Sequence, residues 1–347
     1  MLDGADPKLL HPVFTNLIEK IEQTDGLYSF KRLGDHILIA LDGTEFHSSY
    51  KIHCPCCSTR LRSNGKTEYF HTMLGATIVA PGSNRVIPLA PEFIVPQDGA
   101  AKQDSEIAAG KRWLETHGEY YSRLHPIYLG DDLFSHQPFC ETVIANGGHF
   151  LFTCKPTTHV LIQEYISGIQ LQTHQQKVKH EKKFVTHSYR WLCDVPLRDG
   201  KDALLVNWLE IEIVDSTGKV TYRNSFITDL PISKGNIEEL IDCARARWKI
   251  ENETFNILKT KGYNIEHNFG HGKQNLSLIL VTLNLIAFAF HGACDLYDEL
   301  WQRVRTKLST RQRFFNNLSS ITGYLIFSSW TELLQVLAFE KPPPIPP

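Results

Sequence analysis

HILIALDGT, residues 36–44, is an apolar, β-rich run that ends on Asp42 and a glycine. Its length and the turn signal behind it predict a buried strand that stops at Asp42. An ionised carboxylate at a strand end can face a partly solvated cleft while the strand stays dry. Capping the turn before Gly43 is the structural alternative for the same aspartate.

Outward from this strand, PKLLHPVFTNLIEKIEQT (7–24) has apolar residues near helical spacing and predicts an opening helix. YFHTMLGATIVAP (69–81) and RVIPLAPEFIVP (85–96) predict two further strands joined by the turn signal PGSN. QDSEIAAGKRWLETHG (103–118) is strongly helical. HPIYLGDDLFS (125–135) is a short strand running into the acidic pair Asp131 and Asp132. A helix near QPFCETVIAN (137–146) and a strand at GHFLFTCK (148–155) come next. Three strands, a helix, a second acidic strand, a helix and a strand make up a ribonuclease-H-like α/β arrangement, a mixed sheet flanked by helices.

The texture changes at residues 163–232, where polar sequence leads into alternating strands at 184–197, 204–215 and 219–230. This predicts a β-rich insertion between the second and third acids, distinct from the α/β pattern. Helix resumes at NIEELIDCARARWKIENETFNILKTKG (236–262) and continues to about residue 305, before a last helical region and the tail KPPPIPP. The expected organisation is an N-terminal helical segment (1–35), catalytic core (36–162), insertion (163–232), core with the last acid (233–305), and C-terminal helix with proline-rich tail (306–347).

The 347 residues carry 36 basic and 38 acidic side chains, a net charge of −2 that lacks the basic excess usual for nucleic-acid binders. The basic residues are bunched, at KVKHEKKFVTHSYR (177–190) and RVRTKLSTRQR (303–313). Either run can be a DNA-facing surface or a solvated face. No signal peptide opens the chain, and the apolar run at 276–290 is too short for a bilayer, which favours a buried core helix. Five of the eight cysteines stand singly among apolar neighbours, as reduced thiols do, and a cytoplasmic location is expected.

Glu251, within RWKIENETFNILKTKGY (247–263), supplies a third acid on a helix. Three carboxylates on two strands and a helix suit Mg²⁺ or Mn²⁺, which prefer hard oxygen ligands. The segment also resembles the last motif of bacterial insertion-sequence transposases of the DDE type, Y-x-x-R-x-x-x-E-x-x-x-x-x-x-K. Arg247, Trp248, Ile250 and Glu251 match it, and Phe255, Leu258 and Lys259 resemble the family's F-x-x-L-K run at the motif's end. LGDDLF resembles the family's second motif and IALDGT its first, while KIHCPCC, PLAPEFI and GYNIEHNFGHGKQNL resemble an unclassified insertion-sequence branch. Ala244 departs from the motif's tyrosine, and Lys259 lies one residue too far from Glu251, which keeps Glu253 open as a rival. Asp132 likewise stays open beside Asp131.

The resemblance implies a DNA transposase cutting and transferring strands at transposon ends. Two divalent ions would be held by Asp42, Asp131 and Glu251, and Arg247 and Lys259 would grip phosphates of transposon-end and target DNA. A homodimer on DNA is expected. A decayed, purely DNA-binding derivative and a two-metal nuclease without strand transfer are the alternatives. Relatives of this kind use such an insertion to handle the transposon end, which makes Trp191, near Lys182 and Lys183, a candidate base-stacking residue; Trp208 fits the insertion's own core better.

Cys54 and Cys57 form a C-x-x-C pair, half of a tetrahedral zinc site, with His53 and His71 as candidate partners and His47 as a further option. A cluster of reduced thiols in a loop is the alternative. His267 and His271 lie at a glycine turn, where loop structure is the commoner role and approach to the DNA or the metals the alternative.

Overall fold

The computed structural model describes residues 2–96, 104–180, 183–268 and 270–339. Twelve strands are present among them: β1 (Lys31–Arg32), β2 (His36–Ser49), β3 (Ser58–Leu61), β4 (Thr67–Val79), β5 (Ile87–Pro88) and β6 (Glu92–Ile94) in the first third. Then come β7 (Pro126–Gly130), β8 (His149–Thr153), β9 (Gln172–His180), β10 (Lys183–Pro196), β11 (Leu205–Val214) and β12 (Val220–Thr228). All belong to one sheet, whose main path runs β3-β4-β2-β7-β8-β12-β11-β10-β9. β2 pairs antiparallel with β4 and parallel with β7, and β7 pairs parallel with β8.

Two sequence expectations change here. The β-rich stretch does not stand apart, because β12 pairs antiparallel with β8 and carries β11, β10 and β9 outward as an extension of the central sheet. The free edge of β8 supplies the template, and burying it satisfies a row of backbone groups. Strand β2 also does not stop at Asp42; it runs on to Ser49, paired with β4 along its length. What stops is its other neighbour, since the pairing with β7 ends at Ala40 opposite Leu129.

Successive side chains on a strand point to opposite faces, and β2 uses both. Ile37, Ile39 and Leu41 enter one apolar core with Trp113, Leu114 and Tyr121 of the helix Glu106–Ser122. Leu38 and Ala40 enter the other, with Leu240 and Ile241 of the helix Ile237–Arg245 and Ile250, Phe255 and Leu258 beyond it. The helix Leu276–Tyr297 covers the same second face through Leu285 and Phe288. It is 22 residues long, more than the apolar run suggested, and long enough to cross a membrane, yet over half of its most apolar window is buried within the fold. Its N-terminus is capped from a distance: Asp3 accepts from the backbone N–H groups of Lys273, Gln274 and Leu276.

The helical stretch expected over 236–262 is interrupted. An α-helix covers Ile237–Arg245, a turn comes next, and a π-helical segment spans Ile250–Phe255 before a short α-helix at Asn256–Thr260. The C-terminal helices Glu299–Lys307, Arg311–Thr322 and Trp330–Phe339 close over a third core containing Trp301, Phe314 and Leu334.

Candidate active site

Register brings two of the acids together. Two residues beyond the last β2–β7 pair, Ala40 with Leu129, lie Asp42 and Asp131. Strand parity puts Asp42 on the face of Leu38 and Ala40, and Asp131 on the face of Ile127 and Leu129, the same side of the sheet. Asp132 falls on the opposite parity and is buried. Its carboxylate accepts from the Lys155 amide (2.5 Å) and the Thr158 hydroxyl (2.6 Å), and lies 3.6 Å from His159. Both Asp132 oxygens are thereby committed to holding the turn after β8. Asp131 accepts from the Leu133 amide at 2.9 Å and stays nearer the surface.

The third acid arrives on the π-helical segment. Arg247 donates to Glu251 Oε1 at 2.8 Å and lies 3.5 Å from Asp42 Oδ2, so one guanidinium joins the helix acid to the strand acid. Two glycines make room at this place, Gly75 for the π-helical segment and Gly43 for the helix Glu106–Ser122. A Cβ on Gly75, which faces Asp42 across the β2–β4 ladder, would lie 2.7 Å from the Phe255 ring. A Cβ on Gly43 would lie 2.2 Å from Glu106 Oε1.

Glu106 is therefore a fourth carboxylate at this place, and sequence reading missed it. It is the first residue of the helix Glu106–Ser122, capped by Ser105. The only available signal was an acid at a helix N-terminus, which is ordinary on electrostatic grounds. Burial raises the Glu106 carboxyl above its usual range, with Asp131 adding to the effect. Asp42 is pushed up to about 7, first by burial and then by repulsion from Glu251, Glu106 and Asp131, against the pull of Arg247. Four partly buried carboxylates, of which Asp42 and Glu251 share the Arg247 guanidinium, give this place a surplus of negative charge among the described residues.

The π-helical turn also accounts for the spacing of Lys259. An α-turn takes about 3.6 residues and a π-turn about 4.4, so one of each spans about eight residues. Eight residues separate Glu251 from Lys259, so the extra residue is absorbed in the wide turn and the two remain about two whole turns apart. Lys259 itself pairs with Glu266 at 2.9 Å. Glu253 lies two residues on from Glu251, off the face that carries Arg247 and Glu251.

A transposase DDE domain model matches residues 34–289. The chain belongs to the transposase DDE domain family. Members act on DNA and generally use divalent metal ions, and the mixed α/β architecture fits that assignment. No curated protein matches the chain.

Other expectations for the transposase surface fare differently. Trp191 cannot stack on a base from its place in β10, because it is 2% exposed and packed in the second core with Tyr189 and Leu209. Trp208 is a core residue, as expected. Trp248, beside Arg247, is the tryptophan that faces solvent, at 53% exposure. Lys182 lies outside the described residues, and Lys183 opens β10 with its backbone paired to His180. On β9, Lys177 and Lys179 point to the exposed side of the outermost strand. In the second basic run, Arg311 pairs with Asp295, and Arg305 donates to the Leu308 carbonyl, so these two serve the C-terminal fold.

The proposed zinc ligands also separate. Cys54, Cys57 and His71 converge, whereas the His53 ring stacks on Tyr69, 4.1 Å between centroids, outside the group. His47 is occupied at Nε2 by the Ile52 carbonyl, 3.2 Å away. The fourth member is His271, for which the glycine turn had favoured loop structure over an approach to DNA or metal.

Proposed function

We propose that this transposase domain performs metal-dependent cleavage and transfer of DNA strands at insertion-sequence ends, using Asp42, Asp131 and Glu251. The observation that supports this most directly is the convergence of Asp42, Asp131, Glu251 and Glu106 on one partly buried place, where their charges repel. Such mutual repulsion is relieved by a multivalent cation, and the donors are the hard oxygens that Mg²⁺ or Mn²⁺ prefer. Three antiparallel strands with two more parallel to the first favour a ribonuclease-H-like core, in which acids on β2, β7 and the later helical segment share one cleft.

Asp42, Asp131 and Glu251 would together hold the divalent ions. Bound there, the ions would lower the pKa of a water or a DNA 3′-hydroxyl and stabilise the leaving oxygen. Arg247 holds Asp42 and Glu251 in place from the dry side of the cluster, with only 13% of its side chain exposed. This favours a positioning role for Arg247 over the phosphate grip expected from the motif. Phosphate contact falls more naturally to Lys259 and to Lys249, next to the exposed Trp248. Action on DNA in the cytoplasm by a homodimer belongs to the same reading.

The test uses DNA bearing cognate ends with Mg²⁺ or Mn²⁺. Asp42→Ala, Asp131→Ala and Glu251→Ala should each abolish cleavage while the protein still binds the DNA. Unaltered cleavage in any of the three removes that residue from the site, and cleavage without end joining in the native chain leaves a nuclease instead of a transposase.

A further inference from the structure

Cys54 and Cys57 lie in the loop between β2 and β3, closed by a Cys57 N–H to Cys54 carbonyl bond of 3.1 Å. The Cys54 N–H in turn points at Cys57 Sγ, 3.4 Å away. His71 comes from β4, opposite His47 in the ladder. His271 comes from 200 residues further on, between Gly270 and Gly272, whose positive φ values of 144° and 68° turn the chain inward. All four side chains are buried, at 7%, 5%, 1% and 7% exposure.

Their four ligand atoms all lie within 4.8 Å of one another. Cys54 Sγ and Cys57 Sγ are 4.0 Å apart, and His71 Nε2 is 3.4 Å from each sulfur. His271 Nε2 is 3.3 Å from Cys57 Sγ and 3.3 Å from His71 Nε2. For ordinary zinc bond lengths, a tetrahedral S₂N₂ site has edges of about 3.8 Å between sulfurs, about 3.6 Å between sulfur and nitrogen, and about 3.3 Å between nitrogens. Each observed edge falls within about 0.3 Å of its counterpart. Hydrogen bonding alone does not account for the arrangement. A thiol donates once and an imidazole Nε2 engages one proton, yet His71 Nε2 is approached by both sulfurs and by His271 at similar distances. The atoms converge on one point instead of pairing off.

We propose that Cys54, Cys57, His71 and His271 hold a structural zinc ion. Two thiolates with two imidazoles in tetrahedral array select zinc among common divalent ions. Four protein ligands leave no open position, so the ion fixes structure and does no chemistry. It would tie the β2–β3 loop and β4 to the segment that leads into the helix Leu276–Tyr297. The assignment stands whether or not the cleavage reading is correct.

The experiment is metal analysis of the full chain purified without chelator. About one zinc per chain is expected, and Cys57→Ser or His271→Asn should lower it by about tenfold or more. Because either variant can lose its fold, the native chain is also stripped and refilled with Co²⁺. Intense tetrahedral d–d bands with a thiolate-to-cobalt charge-transfer band are expected. Asp42→Asn should keep both zinc and the cobalt spectrum. A folded native chain that neither contains zinc nor takes up zinc or cobalt overturns the assignment. So does a folded His271→Asn protein that retains full zinc, or a weak octahedral cobalt spectrum.

Discussion

The Phe255 ring occupies the space that a side chain on Gly75 would need, with ring carbons 2.7 and 2.8 Å from the ideal Cβ position. Gly75 lies directly opposite Asp42 in the ladder. The contact therefore sets how near the π-helical segment, and Glu251 with it, comes to the strand acid. Gly75→Ala should cost about 1–3 kcal/mol from overpacking and move the helix outward. Cleavage should fall with it, and Phe255→Leu in the same chain should recover part of both losses. Urea denaturation alongside a cleavage assay decides this; a Gly75→Ala protein of native stability and activity would refute the role given to the contact.

Asp132 is expected to be structural and Asp131 functional. Asp132→Ala takes the acceptor from the part-buried Lys155 amide and leaves the Thr158 hydroxyl only the Lys155 carbonyl, at a cost of about 0.5–1.5 kcal/mol. Its Mn²⁺ affinity at the acid cluster, read by calorimetry, should stay close to native. Asp131→Ala should show the reverse, with small stability loss and lost metal binding. Equal metal affinity in the two variants would undo the distinction.

Glu106 contributes negative charge beside Asp42 and Asp131 without belonging to the sequence motif. Glu106→Gln is expected to weaken Mn²⁺ binding by about tenfold, the size typical of partners just outside a metal's ligand set. Titration of the variant at fixed pH checks this. Binding as tight as native would show that its carboxylate is irrelevant to the ions.

The raised Asp42 carboxyl has a definite signature in the metal-free chain. Its folded pKa, about 7, lies above the ordinary 3.8, so the folded state holds the proton more tightly than the unfolded chain. The stabilisation from that proton is present below the unfolded value and is lost as pH rises through the folded one. In chelator, stability should therefore decline from about pH 4 to pH 7 more steeply than in Asp42→Asn, and added Mg²⁺ should stabilise more at pH 8 than at pH 5. Parallel pH profiles for the two proteins would contradict the burial argument.

Trp248 and Trp191 should separate binding from folding. Trp248→Ala removes an exposed ring beside Arg247 and should weaken single-stranded DNA binding by about 1–3 kcal/mol, with stability changed by no more than about 0.5 kcal/mol. Trp191→Ala empties a core position and should cost about 3–5 kcal/mol in stability. Fluorescence anisotropy and denaturation on both variants provide the comparison; unchanged DNA affinity in Trp248→Ala removes the ring from the DNA surface.

By itself the sequence determined the strands that carry Asp42 and Asp131, the helical segment that carries Glu251, and the membership that joins them. These are local signals: apolar runs ending in acids, and a motif readable within a few turns of chain. The choice between Asp131 and Asp132 stayed open in the sequence, since both follow the same apolar run. Tertiary structure alone decided what depends on distant partners. It brought Glu106 against Gly43, buried Trp191 beneath the helix layer, and joined β12 to the edge of β8. It also set His271 in place of His53 beside Cys54, Cys57 and His71, across 200 residues of chain. Burial and convergence are properties of packed surfaces, and no window of sequence encodes which two surfaces meet.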